Sequence, residues 1–382
     1  MERSYQVIIV GAGPAGATLG YELAVRGIRV LVLEKARFPR YKCCGGGLTF
    51  KAARLIGLDV TGFTEDVIYN AVISLKGKLS YHGDSAAPIM YTVTREKFDH
   101  ILLERAQNAG ADVLQGAEAL AVNLNTGKVE VITNVGTFYG TFVAGADGAR
   151  SRVAGAMGAS NHNACILGLT CEVRVSPEDL AGWRGRVGID IGRIRGGYGW
   201  VFPKSDHLSV GIACSVDKSK RLKHIFYEYL ESLKFERYDI VRRAAGLLPV
   251  LAGRPAVVRG RAILLGDAAG LADPLTGEGI FNAVLSARAG ATAIEKALHD
   301  GRPSLDDYGN IIATTIIPEM KEALVFSKML SRLPVRLFEI LNRDNRVWTA
   351  FCRTSRGEMD YSTVKKKVSS LGGLYKLISG IR

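Results

Sequence analysis

The stretch YQVIIVGAGPAGATLGYELAVRGIRVLVLE, residues 5–34, decides the fold of this chain. Its first apolar run, residues 7–10, is typical of a parallel strand that is covered on both faces. The turn GAGPAG follows at once, then a helical segment, and then a second apolar run. The order of strand, glycine-rich turn, helix and strand predicts a βαβ unit.

The turn of this unit has the spacing of a dinucleotide-binding loop. Gly11, Gly13 and Gly16 form a G-x-G-x-x-G pattern, which lets backbone amides and the helix N-terminus approach a pyrophosphate. Glu34 closes the second strand, where it can accept hydrogen bonds from an adenosine ribose. An acidic residue here favours an unphosphorylated ribose, so we expect FAD or NAD rather than NADP. The alternative is a βαβ turn whose glycines serve only close packing.

The composition narrows the class of protein. The 382 residues include 50 Lys and Arg against 37 Asp and Glu, and 47% are hydrophobic, which excludes a disordered chain and predicts two or three structural units. We find no apolar run long enough to span a membrane and no signal peptide, so we expect a cytoplasmic protein whose mature chain begins near Met1. The six cysteines and six histidines lack disulfide or zinc spacing, so we expect no structural metal.

Helical and strand patterns alternate further along the chain. Apolar residues at helical intervals predict a helix over 97–109. Alternating residues then predict strands at 113–124, 128–133 and 141–148, with Asn125-Thr126-Gly127 as a hairpin turn between the first two.

These elements divide the chain into three predicted regions. An α/β nucleotide-binding domain is expected at residues 1–160 and 255–300. It is interrupted by an antiparallel β-sheet domain at 161–254, which we expect to hold the substrate. A helical region follows at 301–382.

Two more motifs have the chemistry of a nucleotide site. Asp147 and Arg150 lie in the glycine-flanked turn 145–151, which is either a second nucleotide contact or an ordinary Asp-Gly turn. In segment 266–280, Asp267 follows a strand and glycines lead into a new helix. Its carboxylate suits ribityl or ribose hydroxyls, and the helix N-terminus suits the charge that develops near flavin N1 on reduction. The alternative is a decorated loop before a helix.

The three motifs, in this order, resemble the glutathione-reductase-type FAD-binding fold, in the branch shared by aromatic hydroxylases and prenyl reductases. The stretches RFPRYKCCGGGL at 37–48 and GGYGWVFP at 196–203 resemble the geranylgeranyl reductase family, and the resemblance covers most of residues 1–300. It implies one FAD, and hydride transfer from flavin N5 to isolated double bonds of a polyprenyl chain. The substrate would be a prenylated lipid, a quinone or a chlorophyll precursor, and the external reductant NAD(P)H or reduced ferredoxin.

The resemblance also implies the site residues. The family's basic-x-Cys-Gly-Gly motif, which falls beside the flavin, matches Lys42, Cys44, Gly45 and Gly46, while Cys43 stands where a proline is common. Cys44 would donate a proton to the substrate or order the loop, and the alternative is a small thiol that only packs the loop. The implied cofactor-binding residues are Gly11, Gly13, Ala15, Gly16, Glu34, Cys44, Gly45, Gly47, Arg95, Ala119, Asp267, Gly279 and Ile280.

Tyr198 and Trp200 match the family's aromatic motif, which lines the prenyl tunnel. Without the resemblance, aromatic side chains on a sheet are more simply interpreted as core residues. Two rival functions share the scaffold: a flavin monooxygenase or halogenase, and a non-catalytic carrier of prenyl tails that keeps FAD as a structural element.

The C-terminal region concentrates positive charge. Residues 321–382 contain 13 Lys and Arg against 5 Asp and Glu, a net charge of +8. Apolar residues recur beside them at helical spacing, which predicts peripheral attachment to anionic lipid. The alternative is that these helices cap the FAD domain. The recurring apolar residues of this region are Val325, Met329, Leu330, Leu333, Leu337, Phe338 and Leu341.

We see no nucleic-acid-binding module and expect no nucleic-acid partner.

Overall fold

A computed structural model describes residues 4–124, 127–159, 164–251, 255–332 and 334–369. Most of the hairpin turn predicted at Asn125-Thr126-Gly127 lies outside the described residues. So does Leu333 of the predicted membrane-facing positions. The side chain of Leu337, another of these positions, also lies outside the description.

Strands and helices are mixed along residues 4–264, and every regular element from residue 280 onward in the described part of the chain is a helix. The strands are β1 Ser4–Val10, β2 Val30–Glu34, β3 Gly47–Thr49, β4 Thr64–Ile68, β5 Asn70–Leu75, β6 Leu79–Asp84, β7 Met90–Val93, β8 Asp112–Gln115, β9 Ala119–Asn123, β10 Val129–Thr133, β11 Gly136–Gly145, β12 Cys165–Val175, β13 Arg186–Ile191, β14 Tyr198–Pro203, β15 Leu208–Ser215, β16 Tyr238–Pro249, β17 Val258–Arg259 and β18 Ala262–Leu264. The helices are α1 Pro14–Ala24, α2 Phe50–Ile56, α3 Arg95–Asn108, α4 Arg152–Ala156, α5 Pro177–Trp183, α6 Leu222–Ser232, α7 Ile280–His299, α8 Asp306–Thr315, α9 Ile317–Arg332, α10 Pro334–Arg343, α11 Asn345–Ser355 and α12 Tyr361–Ser369.

The first of two compact units lies within residues 1–42, 95–164 and 248–320. Its sheet has the order β17-β18-β11-β1-β2-β8, and β10 and β9 extend it from β11. The pairs from β18 to β8 are parallel, as the βαβ pattern predicts. The strand predicted over 113–124 is instead two strands. Gly116 has a positive φ of 78° and separates β8, which pairs with β2, from β9, which pairs with β10.

The second unit lies within residues 43–94, 165–247 and 321–382. It contains a seven-stranded sheet of order β16-β12-β15-β14-β13-β5-β6 and a small sheet of order β3-β7-β4. The predicted antiparallel sheet is present here: β12–β15, β15–β14, β14–β13 and β5–β6 pair antiparallel, whereas β13 and β5 pair parallel. Strands β4 to β7 have no counterpart in the sequence analysis, because their alternation is short and interrupted.

The C-terminal helices pack against the sheet of the second unit. Phe338 and Leu341 of α10 are each 5% exposed and join a buried cluster with Trp348 and Cys352 of α11 and apolar residues of β5 and β6. Two of the predicted membrane-facing positions are therefore core residues of this unit. The unit boundaries differ from the three predicted regions because these helices and residues 43–94 complete one sheet domain. In the described part of the chain, no helix is both long and apolar enough to cross a bilayer.

We expect Phe338→Ala to lower the free energy of unfolding by about 3–5 kcal/mol, because it leaves a cavity under α10. The matched control is Val335→Ala in the same helix, since Val335 is 54% exposed and should change stability by less than about 0.5 kcal/mol. Thermal unfolding followed by circular dichroism measures both. Equal effects of the two variants would contradict this packing.

Candidate functional site

In the glycine-rich loop of the first unit, one backbone segment packs directly against another. A Cβ atom at Gly16 would lie 1.8 Å from the carbonyl oxygen of Gly11, and Gly11 itself has a φ of 99°. Gly13 is the N-cap of α1 and Pro14 follows at its first position. Since Gly13 has no side chain to cap the helix, the N–H groups of the first turn remain for a ligand, and they favour an anion.

Glu34 ends β2 beside this loop and is 6% exposed. Its Oε2 accepts a hydrogen bond from the Ala12 amide at 2.8 Å, and its Oε1 accepts one from the Ala36 amide at 2.9 Å. These bonds fix the orientation of the carboxylate. Each oxygen keeps acceptor capacity for a ribose hydroxyl.

Two arginines meet a buried carboxylate near the same loop. Arg95 Nε and Nη2 donate to Asp99 at 2.7 and 2.8 Å, and Arg40 Nη1 lies 2.8 Å from Asp99 Oδ2. Arg40 Nη2 is also 3.9 Å from the position of a Cβ at Gly13. Two guanidinium groups on one carboxylate leave positive charge beside the loop, which suits a pyrophosphate. The sequence analysis missed Arg40, whose signal was its place in the basic stretch RFPRYK.

The Asp-Gly turn packs on the loop. A Cβ at Gly11 would lie 2.9 Å from the Cα of Asp147. The Oδ2 of Asp147 accepts a hydrogen bond from the Arg152 amide at 2.6 Å, whereas its buried Oδ1 finds no partner among the described residues. Burial raises the pKa of Asp147, although hydrogen bonds from Ser151 and Arg152 oppose the rise. A buried oxygen without a donor is expected where a polar ligand binds.

The Gly-Asp turn is the last of the predicted nucleotide-binding motifs in the first unit. Asp267 lies in a 3-10 turn after β18, and its Oδ1 is 3.2 Å from the position of a Cβ at Gly279, the N-cap of α7. Burial raises the pKa of Asp267, while the charges of Lys42 and Arg95 oppose the rise. Charges from two other segments of the chain therefore act on this carboxylate.

The remaining predicted residues of this unit occupy buried positions. Ala15 lies in the first turn of α1, and its Cβ is 3.5 Å from the position of a Cβ at Gly266. Ile280 begins α7 and is 6% exposed. Ala119 begins β9 within the hydrophobic core.

In the second unit, the two adjacent cysteines have different surroundings. The Cys43 Sγ lies 3.5 Å from the Thr170 hydroxyl, and a Cβ at Gly246 would touch it. Cys43 therefore packs on β12 and β16. The Cys44 Sγ instead accepts a hydrogen bond from the Gly46 amide of its own loop at 3.3 Å.

A lysine that the sequence analysis missed holds this cysteine loop. Lys204 Nζ donates to the carbonyl oxygens of Gly45 and Val93 at 2.8 and 2.9 Å. Gly47 begins β3, and a Cβ there would lie 2.9 Å from the Phe202 ring. The sequence signal for Lys204 was its position as the basic residue directly after GYGWVFP.

The aromatic residues of β14 form a row on one face of the strand. The ring centroids of Tyr198 and Trp200 are 6.1 Å apart, and those of Trp200 and Phe202 are 6.5 Å apart. The Trp200 indole covers Gly211, and its Nε1 is 2.8 Å from the position of a Cβ at Gly45. This Nε1 is buried with no acceptor in the described part of the chain. Trp200 therefore belongs to the sheet and contacts the cysteine loop.

Comparison with known proteins relates the chain to a set of enzymes. A family model for an FAD binding domain matches residues 4–184. Chloroplastic geranylgeranyl diphosphate reductase of Oryza sativa subsp. japonica is 30% identical over 326 residues, covering 80% of this chain and 69% of the relative. Digeranylgeranylglycerophospholipid reductase of Methanocella arvoryzae is 27% identical, over 85% and 84%. Menaquinone reductase of Mycobacterium tuberculosis is 27% identical, over 92% and 95%.

Solved structures agree with these relatives. A geranylgeranyl bacteriochlorophyll reductase-like protein of Thermoplasma acidophilum has a TM-score of 0.79 and 26% identity, covering 87% of this chain and 88% of its own. The halogenase PltM in complex with phloroglucinol and FAD has a TM-score of 0.69 and 19% identity, over 86% and 76%, which shows a shared fold alone. The predicted FAD-binding fold is confirmed, with FAD rather than NAD as the cofactor.

We expect Gly16→Ala to abolish or weaken FAD binding by at least about tenfold, because the new methyl group displaces the Gly11 carbonyl and opens the loop. The control is Gly155→Ala in α4, where a Cβ meets nothing within 4 Å. The ratio of flavin to protein absorbance after purification, and a titration of the apoprotein with FAD, measure the effect. Normal FAD content in Gly16→Ala would contradict this role of the loop.

Proposed function

Because the chain belongs to the geranylgeranyl reductase family of FAD-dependent oxidoreductases, we propose that it reduces isolated carbon–carbon double bonds in the polyprenyl chain of a lipid or quinone. The names of its relatives specify a diphosphate, a phospholipid and a quinone. These headgroups have little in common, whereas a polyprenyl chain is common to all three. The observation that best supports the proposal is the Cys44 loop packed against the aromatic row.

We assign the cofactor to residues of the first unit. Gly11, Gly13 and Gly16, with the α1 N-terminus and Arg40, would hold the pyrophosphate, and Glu34 would hold the adenosine ribose. The tight glycine contact and the buried Asp147 Oδ1 without a donor fit such a ligand. The other predicted cofactor-binding residues of the first unit would contact the remaining parts of FAD: Ala15, Arg95, Ala119, Asp267, Gly279 and Ile280. When bound, FAD supplies a hydride from N5.

We assign the proton to Cys44. Saturating an isolated double bond requires a hydride at one carbon and a proton at the other. The Cys44 thiol would donate that proton, and the Gly46 amide, which already donates to Sγ at 3.3 Å, would stabilise the resulting thiolate. Water then returns the proton to Cys44 before the next turnover. Cys43 lies against Thr170, so we do not assign it this role.

We assign the prenyl chain to the aromatic side of the sheet of the second unit. Tyr198 and Trp200 are neighbours in the apolar row of β14, and Gly45 and Gly211 allow the Trp200 indole to pack directly against the cysteine loop and β15. Burying hydrocarbon contributes up to about 0.8 kcal/mol per methylene. Tail burial alone then binds the substrate, and the headgroup needs few polar contacts. NAD(P)H or reduced ferredoxin would reduce the flavin for the next cycle.

The test is anaerobic incubation of reduced, FAD-loaded enzyme with geranylgeranyl phospholipid, prenylated quinone and geranylgeranyl diphosphate. We expect products heavier by about 2 Da for each bond, with flavin reoxidised in equal amount, because one hydride and one proton add per bond. Mass spectrometry and flavin absorbance measure both. Unchanged lipids in the anaerobic assay would contradict prenyl reduction. Hydroxylated or halogenated products in a parallel incubation with oxygen would also contradict it.

The adjacent cysteines provide a matched pair for this assay. Cys44→Ser should lower turnover about 10²-fold or more while keeping FAD, because a hydroxyl is a far weaker acid than a thiol. Cys43→Ser should stay within about threefold of the parent protein, since it changes a packing position. Full turnover in Cys44→Ser would exclude the proton-donor role without excluding the reaction.

We also propose that the enzyme binds the cytoplasmic face of an anionic membrane through its basic C-terminal region. A long prenyl product partitions poorly into water, so exchange at a membrane surface is favoured. The structure leaves Val335 and Phe351 exposed at 54% and 43%, on helices that also expose Arg343 and Arg346. Exposed apolar and basic residues together favour an anionic lipid surface.

Vesicle flotation tests this attachment. We expect the double variant Arg343→Glu, Lys366→Glu to lower partitioning onto phosphatidylserine-containing vesicles at least about tenfold, since each basic residue near the surface contributes about 1 kcal/mol. The control is Lys218→Glu, Lys220→Glu, which makes the same change of charge in the exposed turn after β15. Equal losses in both variants would indicate an effect of net charge only and would contradict the assigned surface.

A further inference from the structure

One peptide group in the cysteine loop has both of its polar atoms bonded to side chains. This group joins Gly45 and Gly46. Its carbonyl oxygen accepts a hydrogen bond from Lys204 Nζ at 2.8 Å. Its N–H donates to the Sγ of Cys44 at 3.3 Å. A single rigid unit therefore connects the ammonium group of Lys204 with the thiol of Cys44.

The peptide plane makes the two bonds interdependent. In a trans peptide the C=O and N–H vectors point in opposite directions and rotate together. Holding the Gly45 carbonyl towards Lys204 therefore points the Gly46 N–H away from Lys204 and towards Sγ. A rotation of the plane by half a turn would present the carbonyl oxygen to the sulfur. Since glycines flank the plane on both sides, such a rotation meets little intrinsic steric resistance.

Lys204 is itself held in one position. It is 2% exposed, and its second hydrogen bond goes to the Val93 carbonyl at 2.9 Å. The Val93 amide donates to the Gly46 carbonyl at 2.8 Å, and the hydroxyl of Thr92 donates to the Pro203 carbonyl at 2.6 Å. These bonds join β7, the end of β14 and the loop around the ammonium group. Burial of so polar a group is costly unless it forms strong hydrogen bonds.

The backbone at Gly46 leaves no room for a side chain. This residue has a φ of 71°, and a Cβ there would lie 2.1 Å from the Val93 oxygen and 2.7 Å from Lys204 Nζ. The close approach of the ammonium group therefore depends on a glycine at this position. The cation also polarises the peptide to which it is bonded, which strengthens the N–H as a donor to sulfur.

We propose that Lys204 is a positioning residue for Cys44: by holding the Gly45–Gly46 peptide in one orientation, it supplies the hydrogen bond that stabilises the Cys44 thiolate. The inference deepens the proposed function, because that thiolate forms when Cys44 gives its proton to the substrate. Lys204 itself transfers no proton in this scheme. Its effect on Cys44 exists whether or not substrate is present.

The first test measures the thiol without substrate. In the FAD-loaded full chain with Cys43→Ala, the tryptic peptide 43–51 has a single thiol, so its alkylation by iodoacetamide reports on Cys44 alone. We expect Lys204→Met to slow this alkylation at pH 7.5 about tenfold. The thiolate is the reacting form, and the loss of one hydrogen bond to a charged acceptor lowers its population by about this factor. Lys78→Met, at an exposed position of the same unit, should leave the rate unchanged.

Two further variants keep the test decisive. Lys204→Gln retains an N–H donor without the charge and should have an intermediate rate. It replaces Lys204→Met if the latter does not fold, as judged by flavin content and circular dichroism. Lys204→Arg should recover more of the rate than either. An alkylation rate within twofold of the parent in folded Lys204→Met or Lys204→Gln would overturn the proposal.

The second test uses turnover and separates the two proposals. Lys204→Met should lower kcat about tenfold with little change in KM, and should lower it by less than twofold in a Cys44→Ser background. A further full loss in that background would overturn the link between Lys204 and Cys44. Slowed alkylation together with no reduction of any prenyl substrate would support the positioning role and contradict the proposed function.

Discussion

The contact between Gly16 and the Gly11 carbonyl is the constraint on which the first unit depends. At 1.8 Å from the position of a missing Cβ, the backbone of α1 is closer to the preceding loop than any side chain allows. This proximity places the helix N-terminus at the end of β1. It also brings the turn at Asp147 against the same loop. Side chains of the same unit then supply charge around this backbone frame: Glu34 ends β2, Arg95 begins α3, Asp267 lies in the turn after β18, and Arg40 lies in the loop after β2.

A comparable constraint operates in the second unit, with a buried cation in place of a helix N-terminus. Lys204 binds two carbonyl groups from different segments, so one side chain joins the cysteine loop to the sheet. The loop follows Lys42 directly in the chain, and its glycines allow the close approaches that an ammonium group and aromatic rings require. The same geometry distinguishes Cys43, which faces Thr170, from Cys44, whose sulfur accepts a hydrogen bond from the loop.

The C-terminal helices show how one sequence pattern fits two interpretations. Their apolar and basic residues alternate at the spacing of an amphipathic surface helix, and the sequence analysis interpreted the apolar side as facing lipid. Phe338 and Leu341 are instead buried against the sheet of the second unit. A helix that docks on a protein core and a helix that lies on a bilayer both need an apolar stripe. Surface attachment would therefore involve other residues, such as Val335 and Phe351.

Short-range patterns were sufficient for the βαβ unit, the FAD-binding fold, the family and the helical end of the chain. Each depends on residues within one turn or strand, where glycine spacing and hydrophobic period act directly. Tertiary structure alone decided the contacts of Arg40 with Asp99 and of Lys204 with Gly45, because these partners are distant in sequence and lysine or arginine residues are common. The division of the predicted strand 113–124 also required it, since pairing partners determine where a strand ends. Burial is a property of the assembled unit, and no local pattern specifies which of several equivalent apolar stripes becomes its core.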